Sequence, residues 1–155
     1  MPTEHIVSSY KFNELDDKAK ERARDWYREG ALDHEWYYFT YDDAAEIGLK
    51  ITGFDLDSRQ SLEGIFNRSA VDVANAILKN HGDKCQTYIE ALAFTLSFNG
   101  EPTEDQETEF FSEIKGAYWR ILKSEMEYIL SDESVDEMIL ANEYDFNASG
   151  SRFRF

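Results

Sequence analysis

The sequence predicts a mostly helical α+β fold, a single domain over residues 1–155 with a small antiparallel sheet made by a central hairpin and strands from the chain ends. Three observations carry that expectation. Apolar residues recur at helical spacing in six segments, and two short runs between residues 49 and 67 are bounded by polar turn residues. With 42% hydrophobic and 15% aromatic residues among 155, the chain can bury a core, whereas a solvating acidic tail is poor in aromatics.

Glu4 to Phe12 alternates loosely through Ile6, Val7, Tyr10 and Phe12, which suits a short strand. Asn13 reads as a helix N-cap with Asp16 in the place of a capping-box acid; Leu15, Ala19, Ala23, Trp26 and Tyr27 then follow at helical spacing to a stop at Gly30. A second helix, capped by Asp33, is expected through Trp36, Tyr37, Phe39, Tyr41, Ala44 and Ala45 to Gly48. The runs Leu49 to Asp57 and Ser61 to Asn67 predict a hairpin turning through Asp57-Ser58-Arg59-Gln60, with Gly53 and Gly64 as bulge candidates.

Ser69 and Asp72 form a second capping box, opening a helix with Val73, Ala74, Ile77 and Leu78 that ends near His81-Gly82. A more apolar helix runs from about Thr87 to Phe98 before Asn99-Gly100-Glu101-Pro102 breaks the chain, the best candidate for a subdivision of the domain. Thr103 with Gln106 is a full capping box, and Phe110, Ile114, Ala117, Tyr118, Ile121, Leu122 and Ile129 keep one face over several turns, so the longest helix is expected there. Ser131 or Ser134 restarts a short helix through Val135, Met138 and Ile139. Tyr144-Asp145-Phe146, then Asn147 to Gly150, then Phe153 and Phe155 predict a turn between two extended pieces.

Against 16 Lys and Arg stand 32 Asp and Glu, a formal net charge of -16. Such a surface repels nucleic acid and anionic membrane and attracts basic proteins. The excess is uneven: residues 101 to 137 hold twelve acids against Lys115, Arg120 and Lys123, and residues 31 to 68 hold eight against Lys50, Arg59 and Arg68. Glu101, Glu104, Asp105, Glu107 and Glu109 open the longest helix, where the dipole favours negative charge by roughly 0.3–1 kcal/mol per site. That accounts only for the first turn. Glu113, Glu125, Glu127, Asp132, Glu133, Asp136 and Glu137 lie beyond it, and they are either a solvated face or a binding surface for a basic protein. Asp42, Asp43 and Glu46 add a second acidic group beside Trp36-Tyr37-Tyr38-Phe39-Thr40-Tyr41, whose rings cannot all be buried on one helix, and Trp36 is the candidate aromatic anchor.

No constellation specifies an active site. Asp55 and Asp57 place two carboxylates on one side of a strand, but no calcium-loop glycine or histidine accompanies them. His5, His34 and His81 are scattered, and His81 suits the C-terminal end of a helix dipole. Cys85, the single cysteine, has no adjacent base beyond Lys84 and cannot pair internally, which fits a reducing cytosol. Neither a glycine-rich phosphate loop nor a nucleophile elbow is present in the sequence. Met1 to His5 lacks the character of a signal peptide, and no stretch approaches about 18 apolar residues, so a cytoplasmic protein without a cofactor or metal is expected.

Three stretches carry a resemblance. They are Tyr10-Lys11-Phe12-Asn13-Glu14-Leu15 running into Lys18 to Glu29; Tyr41-Asp42-Asp43-Ala44-Ala45-Glu46-Ile47-Gly48-Leu49 on to Asp57; and Glu127 to Glu133 with Ala141-Asn142-Glu143-Tyr144-Asp145-Phe146. In that order they resemble a group of small acidic proteins of bacteriophages and prophages, some labelled antitoxin-like; where that group often has tandem Trp, this chain has Trp36-Tyr37. The resemblance implies a host-cell setting and no catalytic residues. It points to an anti-CRISPR-like inhibitor that binds the basic, nucleic-acid-handling surface of a host defence protein, such as a CRISPR effector, without touching nucleic acid itself. The rivals are an antitoxin that neutralises a basic toxin and a metal-dependent enzyme using Asp42, Asp43, Glu46, Asp55 and Asp57.

Overall fold

The computed structural model describes residues 8–152. In chain order these form strand β1 (Tyr10–Lys11), a 3-10 turn (Phe12–Glu14), and helices α1 (Asp17–Gly30) and α2 (Tyr38–Glu46). The hairpin strands β2 (Leu49–Asp55) and β3 (Ser61–Phe66) follow, then helices α3 (Ala70–Asn80), α4 (Gln86–Leu96), α5 (Glu104–Ile129) and α6 (Asp132–Ala141), and strand β4 (Asp145–Phe146). The fold is mostly helical α+β, with the hairpin and the terminal strands in two separate antiparallel sheets, β1 with β4 and β2 with β3, rather than in one. The start of the expected first strand, His5, Phe153 and Phe155 lie outside the described residues. Among the described residues no helix is long and apolar enough to cross a membrane.

Two compact units divide the chain, one built from Met1–Glu35 with Met126–Phe155, the other from Trp36–Glu125. The Asn99 to Pro102 break joins α4 to α5 inside the second unit.

In the terminal unit, Phe12, Leu15, Ala19 and Ala23 meet Val135, Ile139 and Phe146 in a buried cluster flanked by Tyr10, Trp26, Tyr27 and Tyr144. Spacings of four residues on α1 and α6 put these side chains on single faces, and each fully buried large aliphatic residue contributes about 1.5–3 kcal/mol. Burial of Phe12 also settles where α1 begins. With Phe12 turned inward by the 3-10 turn, the N-cap is Asp16, whose Oδ1 accepts the Ala19 N–H at 2.8 Å, and not Asn13. After β4, the chain turns back through Asn147 to Gly150 to bridge Phe146 with Arg152. Gly150 has φ +88°, and a Cβ there would stand 2.0 Å from the Ala19 carbonyl oxygen, so no other residue fits this turn.

In the central unit, α2 begins at Tyr38, with Tyr37 at its N-cap, so Asp33 caps nothing here. Packing on the hairpin explains the delay: the Trp36, Tyr37 and Tyr41 rings all meet Phe54 of β2 edge-on, with centroids 5.5–6.2 Å apart. The hairpin register shifts between Ile51 and Gly53, so the unpaired residue is Thr52, and Gly53, the expected bulge, pairs with Glu63 just after it. Gly64 pairs regularly with Ile51 and serves close approach instead, since a Cβ would meet Leu49 and the Lys50 carbonyl at 2.9 Å. Ser69 caps α3, and Thr103 and Gln106 complete the capping box of α5 in both directions, at 2.8 and 3.2 Å. Buried Val73, Ala74 and Ile77 of α3, Ala91 and Phe94 of α4, and Phe110, Ile114, Tyr118 and Leu122 of α5 supply the apolar interior of this unit.

Candidate functional site

Charge is shared evenly between the units and arranged differently in each. Each has sixteen Asp and Glu against eight Lys and Arg, a formal net of -8. In the terminal unit five carboxylates, those of Glu21, Asp25, Asp132, Asp136 and Asp145, pair with Lys or Arg among the described residues. Arg24 grips Asp136 with two parallel bonds, Nε to Oδ1 at 2.7 Å and a terminal nitrogen to Oδ2 at 3.0 Å, and reaches Glu21 at 3.1 Å. Its guanidinium pKa is raised, first by the Asp136 hydrogen bonds. Arg28 binds Asp132, Glu21 and Asp25 and donates to the Leu130 carbonyl at 2.9 Å, and Lys11 meets Asp145 at 2.8 Å. Asp132 and Asp136, two candidates for a partner surface, are therefore held by local arginines. Glu127, Glu133 and Glu137 stay exposed, with no bonded partner among the described residues.

Inside the central unit, Asp43 and Glu125 also have structural work. The buried Tyr118 hydroxyl donates to Asp43 Oδ2 at 2.8 Å, and Thr40 donates to Glu125 at 2.9 Å. Burial first, then the Asp43 charge, pushes the Tyr118 phenol pKa well up. His81 stands beside this link, its Nδ1 2.6 Å from the Thr87 hydroxyl and its Nε2 3.4 Å from Asp43 Oδ2, so α2, α4, α5 and the end of α3 converge on one polar knot. Asp55 is taken up as well. It accepts backbone N–H bonds from Asp57, Ser58 and Arg59, which, with the Asp57 bond strongest, lower its carboxyl pKa and brace the hairpin turn. Since β2 ends at Asp55, Asp55 and Asp57 do not share a strand face as the sequence suggested. Among the described residues no three of His, Cys, Asp and Glu come together in a metal-holding arrangement.

Apart from Glu90, which accepts from Gln86, the remaining carboxylates of the central unit have no partner among the described residues. Asp42 and Glu46 on α2, and Glu101, Glu104, Asp105, Glu107, Glu109 and Glu113 at and after the entry to α5, make no ion pair or side-chain hydrogen bond with any described residue. No Lys or Arg of this unit pairs with a carboxylate among the described residues. Beside the α2 acids, Phe39 is 81% exposed and Tyr38 is also open, while Trp36, the anchor expected from the sequence, is half-buried against Phe54. The sequence signal for the α5 group was plain: no Lys or Arg occurs from Glu101 until Lys115.

Next to these acids runs a groove of about 280 Å³ between α4 and α5. Its floor is the stacked pair Phe94 and Phe110, ring centroids 4.3 Å apart, and its walls carry Glu90, Glu109 and Glu113. Gln106, also in the lining, donates to the Ser97 carbonyl at 3.1 Å. No family model, no curated protein and no solved structure matches the chain.

Proposed function

We propose that the protein is a non-enzymatic, phage-type inhibitor that acts in the host cytoplasm by occupying the basic, nucleic-acid-handling surface of a bacterial defence protein, with a CRISPR effector as the leading target. The observation that carries this reading is the run of unpartnered carboxylates from Glu101 to Glu113. A helix dipole favours the first turn, but Glu109 and Glu113 extend the charge beyond it at a cost in repulsion, with no neighbouring cation to offset it. Lys and Arg side chains that neutralise phosphates accept carboxylates fixed on a rigid helix in the same way. The likeness to small acidic phage proteins supplies the biological setting.

The test is competition. Increasing amounts of the protein are added to a guide-loaded CRISPR effector with fluorescent target DNA; release of DNA is expected, weakening steeply as salt rises from 50 to 300 mM, about the range over which screening shortens below 10 Å. Charge reversal at Glu104, Glu107 and Glu109 should abolish the effect while circular dichroism stays unchanged. Undisturbed DNA binding across effectors of several types would overturn the reading, and a one-to-one complex with a small basic toxin would replace it with the antitoxin-like alternative.

A further inference from the structure

The groove between α4 and α5 is built for a narrower task than a diffuse acidic coat. Glu90, Ala93, Phe94 and Ser97 fall on one side of α4, and Gln106, Glu109, Phe110 and Glu113 on the facing side of α5, by i, i+3, i+4, i+7 spacing. That spacing sets apolar rings below and carboxylates above. Among the described residues no Lys or Arg lines the groove, so its three carboxylates have no cation there to neutralise them. Gln86 holds one of them in place, its Nε2 donating to Glu90 Oε1 at 2.9 Å.

Size and neighbours narrow the occupant. At about 280 Å³ the groove is at the small end of the ~300–1,000 Å³ typical of drug-sized ligand or cofactor pockets, and the carboxylates do not converge as a metal ion requires. A long cation with an apolar stem fits both features: methylenes over the Phe94 and Phe110 edges, and a planar head between carboxylates that can accept paired bonds. Ile89, Leu92 and Leu96, exposed on the side of α4 that adjoins Ala93, give the groove an apolar shoulder, and Leu96 is 76% exposed. Such a shoulder suits a polypeptide bearing the cation better than a free small molecule.

We propose that this groove receives an arginine side chain of the basic partner, anchoring the partner while the other unpaired carboxylates of α5 steer it. Arginine is favoured over lysine because its guanidinium is planar, weakly hydrated and able to bond two carboxylates at once. The proposal rests on the basic-partner reading above, and its test separates the two. A capped eight-residue peptide alternating arginine and alanine is titrated into isotopically labelled protein, with the citrulline and lysine versions as controls. Shifts are expected to concentrate at Glu90, Ala93, Phe94, Glu109 and Glu113, to be weaker with lysine and absent with citrulline. Glu109→Gln with Glu113→Gln should weaken the arginine peptide at least about tenfold, whereas Glu63→Gln with Asp83→Asn, an equal charge change elsewhere on this unit, should leave it within about twofold. Shifts spread evenly over the acidic surface, or equal losses in the two double variants, would overturn the groove. Peptide seated in the groove with no effector bound keeps the groove and removes the defence reading; effector competition that survives Glu109→Gln with Glu113→Gln undiminished does the reverse.

Discussion

The terminal and central units carry the same net charge, -8 each, and use it in opposite ways. In the terminal unit, Arg24 and Arg28 gather Glu21, Asp25, Asp132 and Asp136 into a network that ties α1 to α6. Asp132 and Asp136 hold α6 to α1 through it. In the central unit only Asp43, Asp55, Glu90 and Glu125 accept hydrogen bonds from described side chains or backbone N–H groups, and the rest face water unpaired. Equal charge therefore says little; what separates structural carboxylates from available ones is whether a cation or a donor sits within bonding distance. A protein that needed acidity only for solubility has no reason to tie five carboxylates of one unit to Lys and Arg and none of the described carboxylates of the other.

The largest effect should come from the terminal unit. Arg24→Ala removes a two-bond pair with Asp136, the contact with Glu21 and a guanidinium lying 5.5 Å from the centre of the Phe12 ring, and both main partners are mostly shielded from water. A loss of about 2–3 kcal/mol is expected, read as a lower urea midpoint with unchanged slope. A loss under about 0.5 kcal/mol would place the Arg24 pair with ordinary surface pairs and erase the contrast between the units.

Asp43 is the exception inside the central unit, and it should behave accordingly. Asp43→Ala strands the buried Tyr118 hydroxyl, which costs about 1–3 kcal/mol, whereas Asp42→Ala, one residue away and exposed, should stay within about 0.5 kcal/mol. Equal effects at the two positions would mean that the knot of Asp43, Tyr118, His81 and Thr87 is not what holds this region.

A smaller effect follows from the Tyr118 phenol. Its folded pKa lies above the ordinary value near 10, so once pH exceeds about 10 the unfolded chain releases a proton that the folded chain retains. Stability from this group is complete below pH 10 and is lost above it. Tyr118→Phe should make the alkaline fall of the urea midpoint shallower; an unchanged slope would show that Tyr118 ionises freely in the folded state.

How much of this could be read beforehand depends on how far the deciding contact lies along the chain. The Ser69 and Asp72 pair, the Thr103 and Gln106 box and the Ser131 cap were legible because each hydrogen bond spans three residues. The starts of α1 and α2 were misplaced because burial of Phe12 and the contact of Trp36 with Phe54, neither a local property, decide between competing caps. The acidic excess was legible as a total, and the α5 run as a stretch without bases. That Asp136 and Asp132 belong to Arg24 and Arg28, 112 and 104 residues away, was not. For the same reason the groove was invisible: Glu90 and Glu113 look like separate helix-surface acids until Phe94 and Phe110 stack and bring α4 and α5 together.

The smallest effect is the most direct probe of the contrast. Neutralising an unpartnered carboxylate beyond the first turn of the helix removes repulsion and no bond, so Glu109→Gln should leave stability unchanged or raise it by up to about 0.5 kcal/mol. Neutralising a partnered one removes charge-assisted hydrogen bonds: Asp136→Asn keeps the shape of the side chain but cannot accept both Arg24 bonds as a carboxylate does, and a loss above about 1 kcal/mol is expected. Adding salt should narrow the gap from one side only, because it screens the open repulsion on α5 more than the half-shielded Arg24 pair. If Glu109→Gln destabilised as much as Asp136→Asn, the α5 carboxylates would be holding the fold after all. They would then not be free to hold a partner.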